Sequence, residues 1–453
     1  MLDIQAQLDS IMPPALTGSV VQTAGLTAAV ADFPAPIGAL VEIERQAGAP
    51  VEAEVIGFRN DATIVFPLSS ITGVHRGNRV RLKRTTRTVR LGSELLGRVI
   101  DAHGMPLDQG PPLSLPDRLR IDRTAPPAVQ RPRIDAPLAT GIRAIDALLT
   151  CGRGQRMGIF AGSGVGKSVL LGMMARYTTA DVNVIALIGE RGREVNEFIE
   201  RDLGPAGLAR SVVVVATSDQ PALLRVQAAY TATTVAEYFR DQGKDVLLLM
   251  DSATRFAMAQ REIGLAAGEP PTTRGYPPSV FSLLPKLVER AGRTPLGSIT
   301  AFYSVLVEGD DHNEPIADAV RGLLDGHTWL SRKIATRGHY PAIDILQSIS
   351  RLMHDLVSPE HREAAQRIRE LLAAYQDHED LISIGAYRRG SNKTVDLALV
   401  MYDEIQTFLK QPITDSSTVE SARDALWQLY QRSQTQARGN PNAQAGASTG
   451  RPT

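Results

Sequence analysis

The chain of 453 residues has one cysteine, Cys151, so it forms no internal disulfide and fits a reducing compartment. Its Lys and Arg, 49 together, equal its 49 Asp and Glu. That balance argues against a nucleic-acid coat or a polybasic membrane anchor. No run approaches 18 uncharged apolar residues, which excludes a spanning helix on hydropathy. Residues 1–20 lack a basic stretch followed by an apolar core, so no secretory signal is read and a cytoplasmic protein is expected. Aromatics make up only 5% of the chain.

What the chain does have is a glycine-rich turn. An apolar run from Arg156 leads into Ala161-Gly162-Ser163-Gly164-Val165-Gly166-Lys167-Ser168, and a helix-like stretch follows. This is the layout of a phosphate-binding P-loop, with Ala161 where Gly usually opens the pattern. Glycines let the backbone aim several N–H groups at one anion, and the helix N-terminus adds partial positive charge. Lys167 is expected against the β- and γ-phosphates, and the Ser168 hydroxyl on Mg²⁺.

Leu2, Ile4, Leu8 and Ile11 precede Pro13-Pro14 at amphipathic spacing, so residues 1–18 read as a docking segment or a frayed terminus. Short strands are expected at 37–43, 51–56, 62–66 and 79–83, separated by turn residues, as in a small barrel or sandwich. No acidic residue lies between Asp61 and Glu94, whereas Arg76, Arg79, Arg81, Lys83, Arg84, Arg87 and Arg90 cluster there. Without interleaved aromatics for base stacking, a solvated or subunit-facing surface is preferred over a nucleic-acid face. Residues 109–135 are proline-rich and read as an extended connector.

After the P-loop, apolar runs at 182–188, 212–216, 246–250 and 299–307 alternate with helical stretches. Runs without polar alternation fit strands buried on both faces, which predicts a parallel sheet of RecA type with nucleotide at the strand C-terminal ends. Helices are expected at 361–375, 394–410 and 419–431, followed by a disordered polar tail from 435. Asp251 ends an apolar strand 84 residues after Lys167, which suits a carboxylate that helps hold Mg²⁺. At Glu190 the residues leave two readings: a carboxylate that polarises the attacking water, or an acid favoured at a helix start. Glu197 and Arg201, four apart, read as one salt-bridged helix face.

Several segments together resemble the rotary and secretion ATPases, with the flagellar protein-export ATPases nearest and the injectisome ATPases next. They are the P-loop context 151–168, Gly189-Glu-Arg-Gly-Arg-Glu-Val195, residues 251–271 beginning Asp-Ser-Ala-Thr-Arg, Gly275-Tyr-Pro-Pro-Ser-Val-Phe281 and Gly297-Ser-Ile-Thr-Ala-Phe-Tyr303. The resemblance implies a multidomain chain: an N-terminal β-barrel at 19–95, a central RecA-like α/β P-loop ATPase at 96–358 with an N-terminal linker, and a C-terminal helical domain at 359–434. It implies ATP hydrolysis with Mg²⁺, Glu190 as catalytic carboxylate, Arg191 on the γ-phosphate, Tyr340 stacked on adenine, and Arg351 as a finger reaching a neighbour's nucleotide. The implied partners are identical subunits in a hexamer, a stator or regulator protein, a central stalk protein, a membrane export gate and chaperone–substrate complexes. The implied location is the cytoplasmic face of the inner membrane. The C-terminal region lacks the acidic coupling run of the synthase catalytic subunit. A nucleic-acid translocase with the same core is the competing reading.

Overall fold

The computed structural model describes residues 16–438 except 308, 310, 312 and 313. The expected docking segment therefore lies outside the described residues up to position 15, and Thr17 and Gly18 already belong to the first strand.

Six strands close a barrel: β1 (Thr17–Ala24), β2 (Thr27–Ala31), β3 (Leu40–Ile43), β4 (Val51–Arg59), β5 (Ala62–Pro67) and β6 (Arg79–Arg84). They run in the order β1-β2-β5-β4-β3-β6, and β6 pairs back with β1, so no strand edge is left open. Alternate residues of β4, Val51, Ala53 and Val55, point inward and meet Val41, Ile43, Val65 and Val80. Asn60 and Asp61 both take positive φ, 47° and 61°, which matches the twist a tight hairpin between β4 and β5 requires. The sequence reading missed β1 and β2: three of the five residues of Thr27-Ala-Ala-Val-Ala31 are alanines, and Gly18, Ser19 and Gln22 dilute the pattern of β1.

The basic strand β6 does not present a bare cationic face. Arg81 pairs with Glu44 at 3.0 Å, Lys83 with Glu42 at 3.0 Å and also with Glu52, and Arg87 with Glu54. The acids come from β3, from Glu44 just after it, and from β4, which barrel closure brings alongside.

The central domain is a nine-stranded sheet. Its strands are β7 (Arg98–Ile100), β8 (Arg156–Ala161), β9 (Val182–Glu190), β10 (Ser211–Thr217), β11 (Asp245–Asp251), β12 (Ser298–Leu306), β13 (Gly326–Leu330) and β14 (Ile343–Ser350), plus the two-residue strand Gly292–Arg293 beside β12. The order is β14-β13-β8-β12-β11-β9-β10-β7. From β7 to β13 the pairs are parallel, as expected, but β14 runs antiparallel to β13 and makes the sheet mixed. The reason is local. Residues 331–342 join β13 to β14 with one four-residue helix among them, so no long helix covers the sheet between the two strands. Asp344 and Gln347 also interrupt the apolar pattern of β14, as suits a half-covered edge.

Alternate residues of the buried strands feed two cores. On β11, Val246, Leu248 and Met250 face helices α2 (Ala222–Asp241) and α3 (Ala253–Ala267). Leu247 and Leu249 face α1 (Lys167–Tyr177) and the C-terminal helices. Those helices are α4 (Pro359–Ser383), α5 (Lys393–Leu409) and α6 (Val419–Arg438). Ser358 and Asn392 cap α4 and α5 by accepting from first-turn N–H groups. Helix α6 passes the expected end at 431 and takes in 435–438 of the expected tail. Gln434, Gln436, Ala437 and Arg438 are adequate helix formers, and Gly439 follows. The rest of that tail, 439–453, lies outside the described residues. In the proline-rich connector, Asp117–Arg120 pairs with Thr88–Leu91 as a two-stranded ribbon. Among the described residues no helix is long and apolar enough to cross a membrane.

Candidate active site

Sheet register gathers the site. Ala161 pairs with Leu306 across β8 and β12, and Leu187 pairs with Asp251 across β9 and β11. The C-terminal ends of four parallel strands therefore meet at one edge, where the P-loop turns into α1. Gly164 and Gly166 take φ of 79° and 90°, a region closed to most side chains, and Gly166 caps α1 in that conformation. The loop opens on a cleft of about 570 Å³ lined by Gly162, Ser163, Gly164, Gly166, Lys167 and Ser168 from the loop, together with Glu190, Arg191 and Arg255. Val165 instead turns into the core, 2% exposed, and contributes backbone only.

The charges converge. Lys167 Nζ is ion-paired with Asp251 and lies 3.9 Å from Glu190. Ser304 Oγ donates to Asp251 Oδ1 at 2.6 Å, the same oxygen that Lys167 uses. No described residue donates to the other carboxylate oxygen, and none bonds the Ser168 hydroxyl. An uncommitted hydroxyl and an uncommitted carboxylate oxygen are hard donors that fit Mg²⁺, which takes one or two protein ligands and completes its shell with phosphate and water. Burial pushes the Glu190 carboxyl up to about 7, the Asp251 charge adds to this, and Lys167 pulls the other way.

Arg191 is three-quarters exposed and pairs with Glu194 at 3.4 Å. An exposed pair of that kind contributes at most about 1 kcal/mol, so it leaves Arg191 free to swing. Glu197 does not pair with Arg201: it pairs with Arg193, and Arg201 with Asp202. Residues Phe198–Leu203 form a π-helix, whose wider turn takes position 201 out of line with 197.

Tyr340 is 47% exposed, and its ring stands beside Gly166, where an added Cβ would sit 3.4 Å from it. It faces a mostly apolar groove of about 530 Å³ that continues from the P-loop, with Val169 and Met173 of α1 on one wall and Pro412 and Ile413 on another.

Arg351 lies elsewhere. Its N–H donates to Asp325 O, and the Asp325 carboxylate accepts from the N–H and side chain of Arg156, the first residue of β8. The P-loop follows the last residue of that strand, about 17 Å away at about 3.3 Å per residue. No arginine side chain spans that distance, so Arg351 cannot reach the cleft of its own chain.

Arg255 was not singled out from the sequence. It occupies the first turn of α3, where its N–H bonds the capping Ser252 hydroxyl. It lines the cleft, its Nε is enclosed without an acceptor, and its charge favours ionised Glu190. An arginine one helical turn after the strand-ending acid was the available signal.

Comparison with known proteins agrees with this geometry. Residues 141–350 match the nucleotide-binding domain of the ATP synthase alpha/beta family, and residues 357–428 match the C-terminal domain of the type III secretion ATPase EscN. The flagellum-specific ATP synthase of Bacillus subtilis (strain 168) is 51% identical over 415 residues, covering 91% of this chain and 93% of that protein. The type 3 secretion system ATPase of Xanthomonas euvesicatoria is 51% identical over 410 residues, covering 90% and 93%. The solved structure of assembled EscN from enteropathogenic E. coli superposes with a TM-score of 0.87 at 47% identity, covering 91% of this chain and all of that one. The chain belongs to the family of flagellum-specific and type 3 secretion system ATPases, a branch of the ATP synthase alpha/beta family.

Proposed function

We propose that this chain is the ATP-hydrolysing motor of a type III protein-export apparatus, and that the apparatus is flagellar. The observation that carries the catalytic reading is the convergence of Lys167, Glu190 and Asp251 at adjacent strand ends beside a glycine-rich anion loop. Backbone N–H groups of 162–166 and Lys167 hold the β- and γ-phosphates of ATP, and adenine lies in the groove against Tyr340. Ser168 and Asp251 hold Mg²⁺, which when bound neutralises charge on the phosphate oxygens. Glu190 orients a water and takes its proton as the water oxygen bonds to the γ-phosphorus and the bond to ADP breaks. Arg191 steadies the γ-phosphate. Arg351 reaches the cleft of the next subunit, so the working unit is a ring.

Six copies in that ring, a central stalk and a cytoplasmic position against the export gate complete the reading, with a stator or regulator protein and chaperone–substrate complexes as further partners. A relative, EscN, has been solved in assembled form and with its central stalk EscO, which supports the first two. The ion pairs of Arg81 and Lys83 on β6 weigh against a nucleic-acid translocase. The flagellar relative of Bacillus subtilis and the secretion relative of Xanthomonas euvesicatoria are each 51% identical, so the assignment is tested in the cell. Deleting the gene is expected to leave cells without filaments and unable to swim. Normal swimming with lost effector secretion would move the chain to an injectisome.

The role of Glu190 sets a pH dependence. With its carboxyl raised to about 7, it holds a proton below that pH and cannot accept one from water. The value of kcat/KM for ATP, which reports the free enzyme, is expected to fall as pH drops below about 7, by up to tenfold per unit. A flat profile between pH 6 and 8 would count against Glu190 as the proton acceptor.

A further inference from the structure

A second cavity, of about 690 Å³, lies where the barrel, the connector ribbon and helix α2 meet. Five cationic side chains line it: Lys83, Arg84, Arg87, Arg90 and Arg118. Lys83 is answered by Glu42 and Glu52, and Arg87 by Glu54. Arg84, Arg90 and Arg118 have no ion pair among the described residues, so three positive charges share one cavity.

The backbone enforces the crowding. In the ribbon of Thr88–Leu91 with Asp117–Arg120, Arg90 stands directly opposite Arg118. Like charges in facing positions of an antiparallel pair repel. Arg118 is fixed by donating from Nε to Thr88 Oγ1 at 2.6 Å. Burial, and then the charges of Arg84 and Arg90, disfavour its ionised form. Arg87 lies deeper, its side chain only 14% exposed, and its Nε is enclosed with no acceptor. Folding has thus placed a buried, unsatisfied guanidinium nitrogen and three uncompensated charges around one space. An anion among the three charges would relieve their repulsion.

We propose that this cavity is an anion site distinct from the P-loop, and that it takes a small soluble molecule carrying two or more phosphate groups. Guanidinium forks match phosphate oxygens in pairs, and three of them exceed what a single carboxylate could satisfy. Val89, Leu113, Leu115 and Ile121 supply an apolar wall for the remainder of the molecule. The lining contains no Phe, Tyr or Trp on which successive bases of a strand would stack, which disfavours an oligonucleotide. Gln227 and Thr231 bring helix α2 into the same wall, and α2 packs across β9 and β11, the strands that end in Glu190 and Asp251. Occupancy therefore bears on an element that touches the catalytic strands.

The test uses the full chain with one equivalent of ADP per chain, enough to fill the P-loop without competing for a second site, and titrates pyrophosphate calorimetrically. One further site per chain is expected, weakened by added salt. The exposed pair Arg90→Ser/Arg118→Ser should lose affinity at least tenfold, and Arg84→Ser alone should lose a smaller factor, with thermal melting of each variant checking its fold. No pyrophosphate binding in the presence of ADP would overturn the proposal, as would unchanged affinity in folded variants. Binding of a glutamate-rich peptide without binding of pyrophosphate would also overturn it, and would make the cavity a docking point for an acidic protein segment.

Discussion

Arg351→Ala is expected to lower ATP turnover by about 10³-fold or more while leaving ATP binding nearly intact. The reason is positional. The Arg351 backbone is tied through Asp325 to the start of β8, at the opposite end of the strand from the chain's own P-loop. A guanidinium there can neutralise transition-state charge only in an adjoining subunit, and it contributes nothing to holding ATP in its own. Mixing separates this from a folding defect. In rings assembled from Arg351→Ala and Glu190→Ala chains, about one interface in four pairs an intact Glu190 with an intact neighbouring Arg351 under random head-to-tail assembly. Such mixtures should hydrolyse ATP although neither parent does. Absence of rescue in mixtures shown to co-assemble would end the trans assignment.

Lys167→Ala should remove hydrolysis and also weaken ATP binding, a signature distinct from that of Arg351. Lys167 pairs with Asp251 and lies within 4.0 Å of Glu190, and no other ion pair of either carboxylate is found among the described residues. Without it, neither carboxylate keeps an ion-pair partner among the described residues, and only the charge of Arg255 is left to offset Glu190 as the phosphates arrive. Loss of one preorganised donor at a developing charge costs roughly 10²–10³ in rate, and the added repulsion acts on binding as well. Phosphate release and a direct nucleotide titration measure the two effects. Turnover within tenfold of the parent would mean that the P-loop reading is wrong.

Much of the candidate site was legible because its parts are local. A glycine turn before Lys167-Ser168 and an apolar strand ending in Asp251 each declare their chemistry within a few residues. Tyr340, Arg191 and Arg351 carry no such local signature and came only from resemblance. Arg255 shows why: its meaning depends on Gly189 and Glu190 of another strand. The same limit governed the fold. The buried strands 182–188, interrupted only by Asn183, and 246–250 stood out as apolar runs, whereas β13 begins Gly-His-Thr and β14 carries Asp344 and Gln347. The charge cluster around β6 looked uniformly basic because its acids lie thirty or more residues earlier and meet it only on barrel closure.

The groove beside Tyr340 has walls from two parts of the chain. Tyr340 and Pro341 belong to the loop after β13, whereas Gln411, Pro412 and Ile413 follow α5 in the C-terminal region. Gln411 is also stitched to both sides: its N–H donates to Tyr340 O, its amide donates to Gly141 O, and it accepts from the Arg143 N–H. A purine gripped there would act as a bolt between the catalytic layer and the helical cap. It would add one more tie to those hydrogen bonds and to the buried core that the C-terminal helices share with α1 and the sheet. Its departure would remove that tie, so a load applied to α5 and α6 from outside would bear on the emptying of the groove as well as any change at the phosphates.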